Sequence, residues 1–480
     1  METEQQEQQE TEQHIEKTGG SGGGEQKAPN ETANTQARCL GKELLKESSS
    51  LPKPQPQETQ SPVPEIHLAA SSVSGSGNPC AMGTAEIMWE TEGGHLKASS
   101  TGKKALKILL IGHQFQVPSE GQAKADALAK FTDIEVCAIT PQRYREGENT
   151  WRFPTTPLSD SYQFHVERVR LPWAGLAKWY LHWYPDLPKT LCAFQPDIID
   201  VWEEPWSLLS AEVCWLRDRM IPNARIISET EQNIGRILPP PFEWFRSYTF
   251  GKADFLIGRN TQALSVARAK GYHGPSRVIG NGVDTNLFRP LDRAMCRRKL
   301  GISGFAVGYA GRLVSEKGLK DLVEAVSNMD SDVTLWVCGS GPLRDELQAS
   351  GPKVHVSEGI PRARLPEYYN AIDVLVLPSH TTNRWKEQFG RVLIEAQACG
   401  TPVVGSDSGA IPEVIGNAGI IFSEGDIREL QTAIERIKGN EQLREDLSDA
   451  GREQVKRLYS WDSIAIQMRE VYIDIQAAVA

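Results

Sequence analysis

Two glutamates, Glu387 and Glu395, stand with seven residues between them in RWKEQFGRVLIEAQACGTPVVGSDSG, and Phe389-Gly390 falls inside the interval. The apolar spacing of FGRVLIEAQACG predicts a helix between two strands, DVLVLPS and TPVVGS. Gly390 then sits near the helix N-terminus. Free N–H groups and the positive dipole end favour an anion there, and glycine permits close backbone approach. Glu395 falls just over a turn inside. Helical rise across eight residues separates the carboxylates by up to about 12 Å. That is too far for an acid–base pair sharing one bond, and it suits a grip on two hydroxylated rings joined by phosphates. Taken alone, the pair reads as a solvated helix face.

A second element changes the balance. GYAGRLVSEKGLKDL (308–322) leaves a predicted strand through Gly308 and Gly311 and presents Arg312 and Lys317 in a short loop. A guanidinium and an ammonium five apart on a glycine-flanked loop make a phosphate clamp, and Arg can contact phosphate bidentately. Two phosphate-ready elements in one half of the chain make ordinary surface charge a poor account of both. VCGSGP (337–342) adds a third strand-to-loop glycine turn, weak by itself because it lacks the third glycine of a dinucleotide fingerprint.

These residues need a scaffold. From residue 105, short apolar runs (KILLIG, IEVCAIT, PDIIDVW, ARIISET, ADFLIG) alternate with helical or loop segments such as EGQAKADALAKF. The pattern restarts at FAVGYAG and continues through VTLWVCGSG, KVHVSEG, DVLVLPS and TPVVGS, with NGVDTNLFRPLDRAM (281–295) as a linker between the halves. Such alternation defines an α/β class with two doubly wound parallel sheets. Two Rossmann-like domains facing each other place ligands beyond the strand C-termini, in the inter-domain cleft. SWDSIAIQMREVYIDIQ (460–476) reads as a final amphipathic helix.

The first hundred residues differ. METEQQEQQETEQ, TGGSGGG and LPKPQPQETQSPVP bury too little apolar surface to offset chain entropy, so residues 1–104 are expected to be a disordered low-complexity tail. It reads either as a tether or as an extension ahead of a later start at Met82 or Met88. No apolar h-region follows Met1, no apolar run reaches the roughly 18 residues of a membrane span, and a net charge of −10 without a long basic run disfavours nucleic acid. Eight scattered cysteines with no CxxC suit a reducing cytoplasm.

With the motifs in order, the second half resembles the family 4 glycosyltransferases, retaining enzymes of the GT-B fold that use nucleotide-sugar donors. The matching pieces are NGVDTNLFRP, GYAGRLVSEKG, VCGSGP, AIDVLVLPS and the Glu387…Glu395 element running into GTPVVGSDSGAIPEVI, over about residues 278–425. The first half matches more loosely, through KILLIG, Gly121 and QPDIIDVWEEPWSLL. The resemblance implies an N-terminal acceptor domain over 105–285, a donor domain over 286–459 and a helix over 460–480 that crosses back. It implies that Arg312 and Lys317 hold the donor diphosphate and help the leaving group depart, and that Glu387 contacts the donor sugar, these three being the catalytic candidates. Gly311, Phe389, Gly390 and Leu393 would line the phosphate and nucleoside region, Glu395 the ribose, Gly359 and Ile360 the base, and Asn281 and Gly282 the sugar. It further implies a hexose moved to a hydroxyl of a glycan, lipid-linked saccharide or small metabolite. The family's histidine after the strand ARIISET has no counterpart: Gln232 and Asn233 stand there, with Glu229 and Glu231 beside them. A mechanism in which the donor phosphate takes the acceptor proton needs no protein nucleophile.

The acceptor-side candidates are Gly121, Glu203, Glu204, Gln232 and Asn233; Glu203-Glu204 fits a cleft role and solvated residues before a proline equally. No metal and no cofactor beyond the co-substrate are expected: Asp330-Ser331-Asp332 has the form of a metal motif, but it precedes a strand where Asp and Ser are turn residues. LPWAGLAKWYLHWYPDLP (171–188) suits helix packing, with a membrane interface or sugar stacking as the other readings. His113, after the first strand, is expected to make a local hydrogen bond, with a cleft-lining role as the other reading. The localisation expected is cytoplasmic, with the inner face of the membrane left open. The rival readings are a sugar epimerase or phosphorylase on the same architecture, and a nucleotide-sugar binding subunit without catalysis.

Overall fold

The computed structural model describes residues 104–146, 150–157, 159–170 and 179–477. The low-complexity tail expected over 1–104 therefore lies outside the described residues, apart from Lys104.

Fifteen strands are described: β1 (Leu106–Ile111), β2 (Ile134–Pro141), β3 (Tyr144–Glu146), β4 (Thr150–Arg152), β5 (Gln163–Glu167), β6 (Ile198–Val201), β7 (Arg225–Thr230), β8 (Phe255–Gly258), β9 (Ser276–Val278), β10 (Phe305–Ala310), β11 (Val333–Cys338), β12 (Val354–Ser357), β13 (Val374–Leu377), β14 (Val403–Ser406) and β15 (Ile420–Phe422). The first sheet has the order β5-β2-β1-β6-β7-β8-β9 and the second β12-β11-β10-β13-β14-β15, while β3 and β4 form a small antiparallel hairpin. Every pairing within the two large sheets is parallel. Both sheets reverse direction of winding at their first strand, between β1 and β6 and between β10 and β13. A crevice opens at such a point, beyond the strand C-termini.

The apolar runs explain the pairing. A parallel sheet is covered on both faces, so its strands read as continuous rather than alternating hydrophobics. In β1, Ile108 and Leu110 enter one core with Ala125, Met468 and Tyr472. Leu109 and Ile111 enter another with Leu191 and Val213. The second domain has a single large core that includes Val307, Leu335, Leu375 and Leu393.

The last helix, Trp461–Ala477, belongs in space to the first domain. Its buried residues Ile464, Ala465, Met468, Val471, Tyr472 and Ile475 recur at the helical period and lie in the core beneath β1. Ser460 caps its start by accepting from the Ser463 N–H at 3.1 Å. The Tyr472 hydroxyl donates to Asp200 Oδ2 at 2.7 Å.

Three sequence expectations need correction. The linker taken through Met295 ends earlier, because Asp292 caps a helix over Arg293–Leu300 by accepting from the Met295 N–H. The segment 171–188 is not a packing helix where it is described: Trp179–Leu181 form a single turn, and Trp173 lies outside the described residues. Strands β5, β9 and β15 were not anticipated; all lie at or near sheet edges and are short or only partly buried, so their apolar signal is thin.

Candidate active site

Across the winding reversal of the second sheet, the loop after β10 faces the loop after β13. Gly311 leaves β10 with φ +147°, and a Cβ on Gly339 would lie 1.9 Å from the Gly311 carbonyl, so the two glycine loops meet backbone to backbone. Lys317 ends the turn Ser315–Lys317, and its Nζ lies 2.5 Å from Glu387 Oε2. The same oxygen accepts from Ser379 Oγ at 3.0 Å. The Glu387 carbonyl accepts from the Ala410 N–H at 3.0 Å and from Asn233 Nδ2 at 2.8 Å. Glu387 is thus fixed at both its side chain and its backbone, and it is buried. Arg312 is exposed, and among the described residues its guanidinium has no hydrogen-bond or ion-pair partner.

The helix Arg391–Ala398 starts from Gly390, whose φ of +82° places it in the left-handed region, with no side chain capping the first turn. Its first N–H groups lack intrahelical partners by geometry. Phe389 packs edge-on against Tyr459 at 5.6 Å, and Leu393 is fully buried. Because the helix begins only at Arg391, helical rise does not set the Glu387–Glu395 separation; a loop carries Glu387 and the helix carries Glu395. Glu395 accepts from the Tyr369 hydroxyl at 2.8 Å, and Arg362 Nη1 lies 2.8 Å from its other oxygen. Burial pushes the Glu395 carboxyl above the usual range, with Arg362 and Tyr369 pulling it back. Gly359 and Ile360 lie just before Arg362, after β12, with open space around Gly359. The loop expected at the base and the carboxylate expected at the ribose are therefore joined by Arg362, a residue that no spacing argument singled out.

Asn281 and Gly282 sit elsewhere than on the cavity described below. A Cβ on Gly282 would lie 2.4 Å from the Trp461 ring, and Asn281 is buried. Gly121 is also buried, folded back onto Phe115 within the turn Pro118–Gln122.

On the first-domain side a cavity of about 320 Å³ opens, with Glu203, Glu204, Gln232 and Asn233 in its wall. It also takes Trp385, Lys386 and Gln388 from the second domain, so it lies between the two. Glu203 Oε1 is 2.6 Å from His113 Nδ1 and accepts the His113 N–H at 2.7 Å. His113 stacks on Trp179 at 5.0 Å, and Trp179 tilts against Trp206. The hydrogen bond of His113 is not local, since its partner stands 90 residues away across the winding reversal of the first sheet, and His113 lines the cavity. Glu204 accepts from Thr230 Oγ1 and from the Glu231 N–H, each at 2.8 Å. Burial pushes its carboxyl up to about 7.

Polar contacts tie the domains around this cavity. Asn260 Nδ2 donates to the Gln388 carbonyl at 2.6 Å, Gln388 Nε2 to the Glu231 carbonyl at 3.2 Å, and Arg391 pairs with Glu120. The Lys317 ammonium lies 4.8 Å over the Trp385 ring, which links the Lys317–Glu387 pair to the cavity wall.

Asp330 and Asp332 both accept from Lys438 Nζ, at 2.9 and 2.7 Å, so a lysine occupies the Asp-Ser-Asp pair. The six cysteines among the described residues are free, and Cys338 and Cys399 are buried. No described helix is long and apolar enough to cross a membrane.

Two facing Rossmann-like domains with a crevice between them are the architecture of the GT-B fold. Residues 297–454 match the family described as glycosyl transferases group 1. The D-inositol 3-phosphate glycosyltransferase of Segniliparus rotundus is 28% identical over 340 residues, covering 61% of this chain and 71% of that protein. The capsular polysaccharide biosynthesis glycosyltransferase CapM of Staphylococcus aureus is 33% identical over 190 residues, covering 36% and 47%. Among solved structures, sucrose-phosphate synthase from Thermosynechococcus elongatus aligns with a TM-score of 0.59 at 24% identity, over 78% of this chain and all of that one. Anabaena HepE in complex with UDP aligns with the same TM-score at 19% identity, over 77% and 100%. The chain thus has the GT-B fold, and its second domain matches the glycosyl transferases group 1 model over residues 297–454, which supports a glycosyltransferase.

Proposed function

We propose that this glycosyltransferase moves a hexose from a nucleotide-diphosphate sugar to a hydroxyl of a glycan, a lipid-linked saccharide or a small metabolite, with retention and without a metal or other cofactor. The observation that carries the reading is the Lys317–Glu387 pair, 2.5 Å apart, standing in one crevice with the unpartnered Arg312 and the N-terminus of the helix after Gly390. The first domain would hold the acceptor and the second the donor, in a cytoplasmic protein.

The chemistry then follows from charge. The bond between the sugar C1 and its phosphate oxygen breaks while the acceptor oxygen bonds C1 on the same face. The acceptor proton passes to the departing phosphate. Arg312 and Lys317 stabilise the negative charge that builds on that phosphate, and Glu387 holds the sugar hydroxyls and orients the lysine. The names of the relatives support the reading: one acts on an inositol phosphate, and the HepE structure holds UDP.

The test is a melting screen of the full chain against UDP, GDP, ADP and dTDP and their common sugar conjugates. A ligand that binds only the folded state stabilises it by about 2.7 kcal/mol at a hundredfold excess over Kd. A shift with one nucleotide family, lost in Glu395→Ala, is the expected result. No shift with any of them would remove the reading.

A further inference from the structure

One histidine in the cavity wall has a nitrogen engaged by the protein and a nitrogen left over. Glu203 Oε1 accepts the His113 backbone N–H at 2.7 Å and lies 2.6 Å from His113 Nδ1. A carboxylate only accepts, so Nδ1 carries the hydrogen and Nε2 keeps its lone pair. Among the described residues Nε2 has no hydrogen-bond partner, and the ring lines the cavity between the domains. The ends of β1 and β6 place it there. Trp202 donates its N–H to the Ile111 carbonyl at 2.9 Å, and a Cβ on Gly112 would lie 2.5 Å from the Trp202 carbonyl oxygen, so glycine is what permits the close approach. The next residue of each segment, His113 and Glu203, then meet across the winding reversal.

Two other acids of the wall are engaged differently. Glu229 gives one oxygen to Lys124 and the other to Arg259, and Glu204 gives one to Thr230 Oγ1 and the other to the Glu231 N–H. In Glu203 a single oxygen takes both bonds from His113, while Oε2 is buried without a hydrogen-bond partner. The Glu203 side chain is 2% exposed, so water screens its charge little. A proton arriving at Nε2 makes an imidazolium beside this carboxylate, and the carboxylate stabilises it. His182, the other histidine near the ring, does not oppose that charge. Burial first and His113 second push its pKa down to about 3, so it stays neutral.

We infer that His113 is the acceptor-side base of the transfer: Nε2 accepts the acceptor hydroxyl and takes its proton, while Glu203 holds the ring and balances the charge. The inference rests on the transferase reading above and adds one station to its proton route. The acceptor O–H bond breaks and an Nε2–H bond forms, as the acceptor oxygen bonds C1 and the bond from C1 to the phosphate oxygen breaks. The imidazolium then gives that proton to the departing phosphate, and His113 returns to its neutral form. Trp179 stacks on the imidazole at 5.0 Å and tilts against Trp206, which gives the acceptor a flat apolar wall beside the base. The donor pair adjoins this wall, because Trp385 lines the same cavity beneath the Lys317 ammonium.

The experiment uses the full chain, saturated with whichever nucleotide sugar gives the melting shift. The rate read is transfer to glucose, fructose or myo-inositol. Where none of these is turned over, it is donor hydrolysis, with water as the acceptor. His113→Asn should lower kcat by about 100-fold or more while the nucleotide melting shift persists. Glu203→Gln, which keeps an oxygen for the His113 N–H but loses the charge, should lower it by about tenfold or more. The pH profile separates a base from a mere tie between two loops. A protonated imidazole has no lone pair, so the parent's kcat should fall as the pH drops through the ordinary histidine range, from about 8 to 5. The residual rate of His113→Asn should lack that fall. The titratable groups around the imidazole are Glu203, His182, Glu231 and Tyr144, with Glu204 in the same wall. All of them are present in both chains, so the difference belongs to His113. A near-parental kcat in His113→Asn, a fall in acid that survives in it, or a parent kcat independent of pH overturns the inference and leaves the donor site standing. If no nucleotide sugar shifts the melting temperature or is hydrolysed, the transferase reading fails first and takes this one with it.

Discussion

Asn233 of the first domain donates its Nδ2 to the backbone carbonyl of Glu387 in the second, at 2.8 Å. A residue standing where the family resemblance places a histidine thus spends its amide on holding the loop that carries Glu387, the carboxylate proposed to meet the sugar. The contact is buried and spans the crevice. Asn233→Ala removes one net hydrogen bond, worth about 1 kcal/mol, so donor affinity should weaken by roughly 3- to 10-fold. Asn233→Asp sets a carboxylate against a carbonyl and should weaken it further. Calorimetric titration with the nucleotide from the melting screen decides this, and unchanged affinity in both variants would separate Asn233 from the donor site.

Lys317→Ala should lower kcat by about 100-fold or more, because a leaving-group contact acts mainly in the transition state. Glu387→Ala should do the same and also raise KM, since Glu387 holds Lys317 and is the residue proposed to contact the sugar. Steady-state kinetics beside circular dichroism checks both. Full activity in a folded variant would sink these assignments.

Glu395 should link nucleotide binding to acid. Burial raises its pKa, so the carboxylate proposed to accept ribose hydroxyls is lost earlier, on lowering the pH, than in an exposed glutamate. Nucleotide affinity measured from neutral to mildly acidic pH should fall, and the fall should vanish in Glu395→Gln along with most of the binding. Arg362 pairs with Glu395, the carboxylate proposed to meet the ribose. Arg362→Ala should therefore change nucleotide affinity without touching kcat.

Glu204 bears on stability. Its folded pKa of about 7 lies above the ordinary 4.5, so it contributes fully below about 4.5 and progressively less as the pH rises to 7. The melting temperature of the parent minus that of Glu204→Gln should shrink between pH 5 and pH 8. Glu212, pushed up to about 8 by burial, acts in the same direction but is present in both chains and cancels. A difference independent of pH would show that Glu204 does not titrate in this range.

The final helix is fastened by one buried polar contact as well as by packing. Tyr472 and Lys124 share Asp200 Oδ2, at 2.7 and 2.8 Å. Tyr472→Phe should cost about 1.5–3 kcal/mol, the range for a hydrogen bond to a charged group, read from the urea midpoint. A loss well below about 1 kcal/mol would mean that this bond does not help to dock the helix, leaving packing and the Arg469–Asp133 pair to hold it.

Much of this was legible in the chain because it is local. Continuous apolar runs ending in glycine announce buried parallel strands, and the Arg312…Lys317 and Gly390…Glu395 spacings place cations and a helix start at strand ends. The alternation of strand and helix, restarted once, is enough for two Rossmann-like domains. Edge strands such as β9 and β15 escaped because three residues carry too little pattern.

What tertiary structure decided is which distant groups meet. Lys317 and Glu387 are 70 residues apart, His113 and Glu203 are 90, and Tyr472 and Asp200 are 272. Each pair forms because two segments, far apart in the chain, are brought together by sheet winding or by the returning helix. Arg362 on Glu395 has no local signature at all. Sequence periodicity reports the burial of a residue within its own strand or helix, and it carries no information about what the facing element will put opposite. The kinds of groups available to the site were therefore written in the residues, and their partners only in the fold.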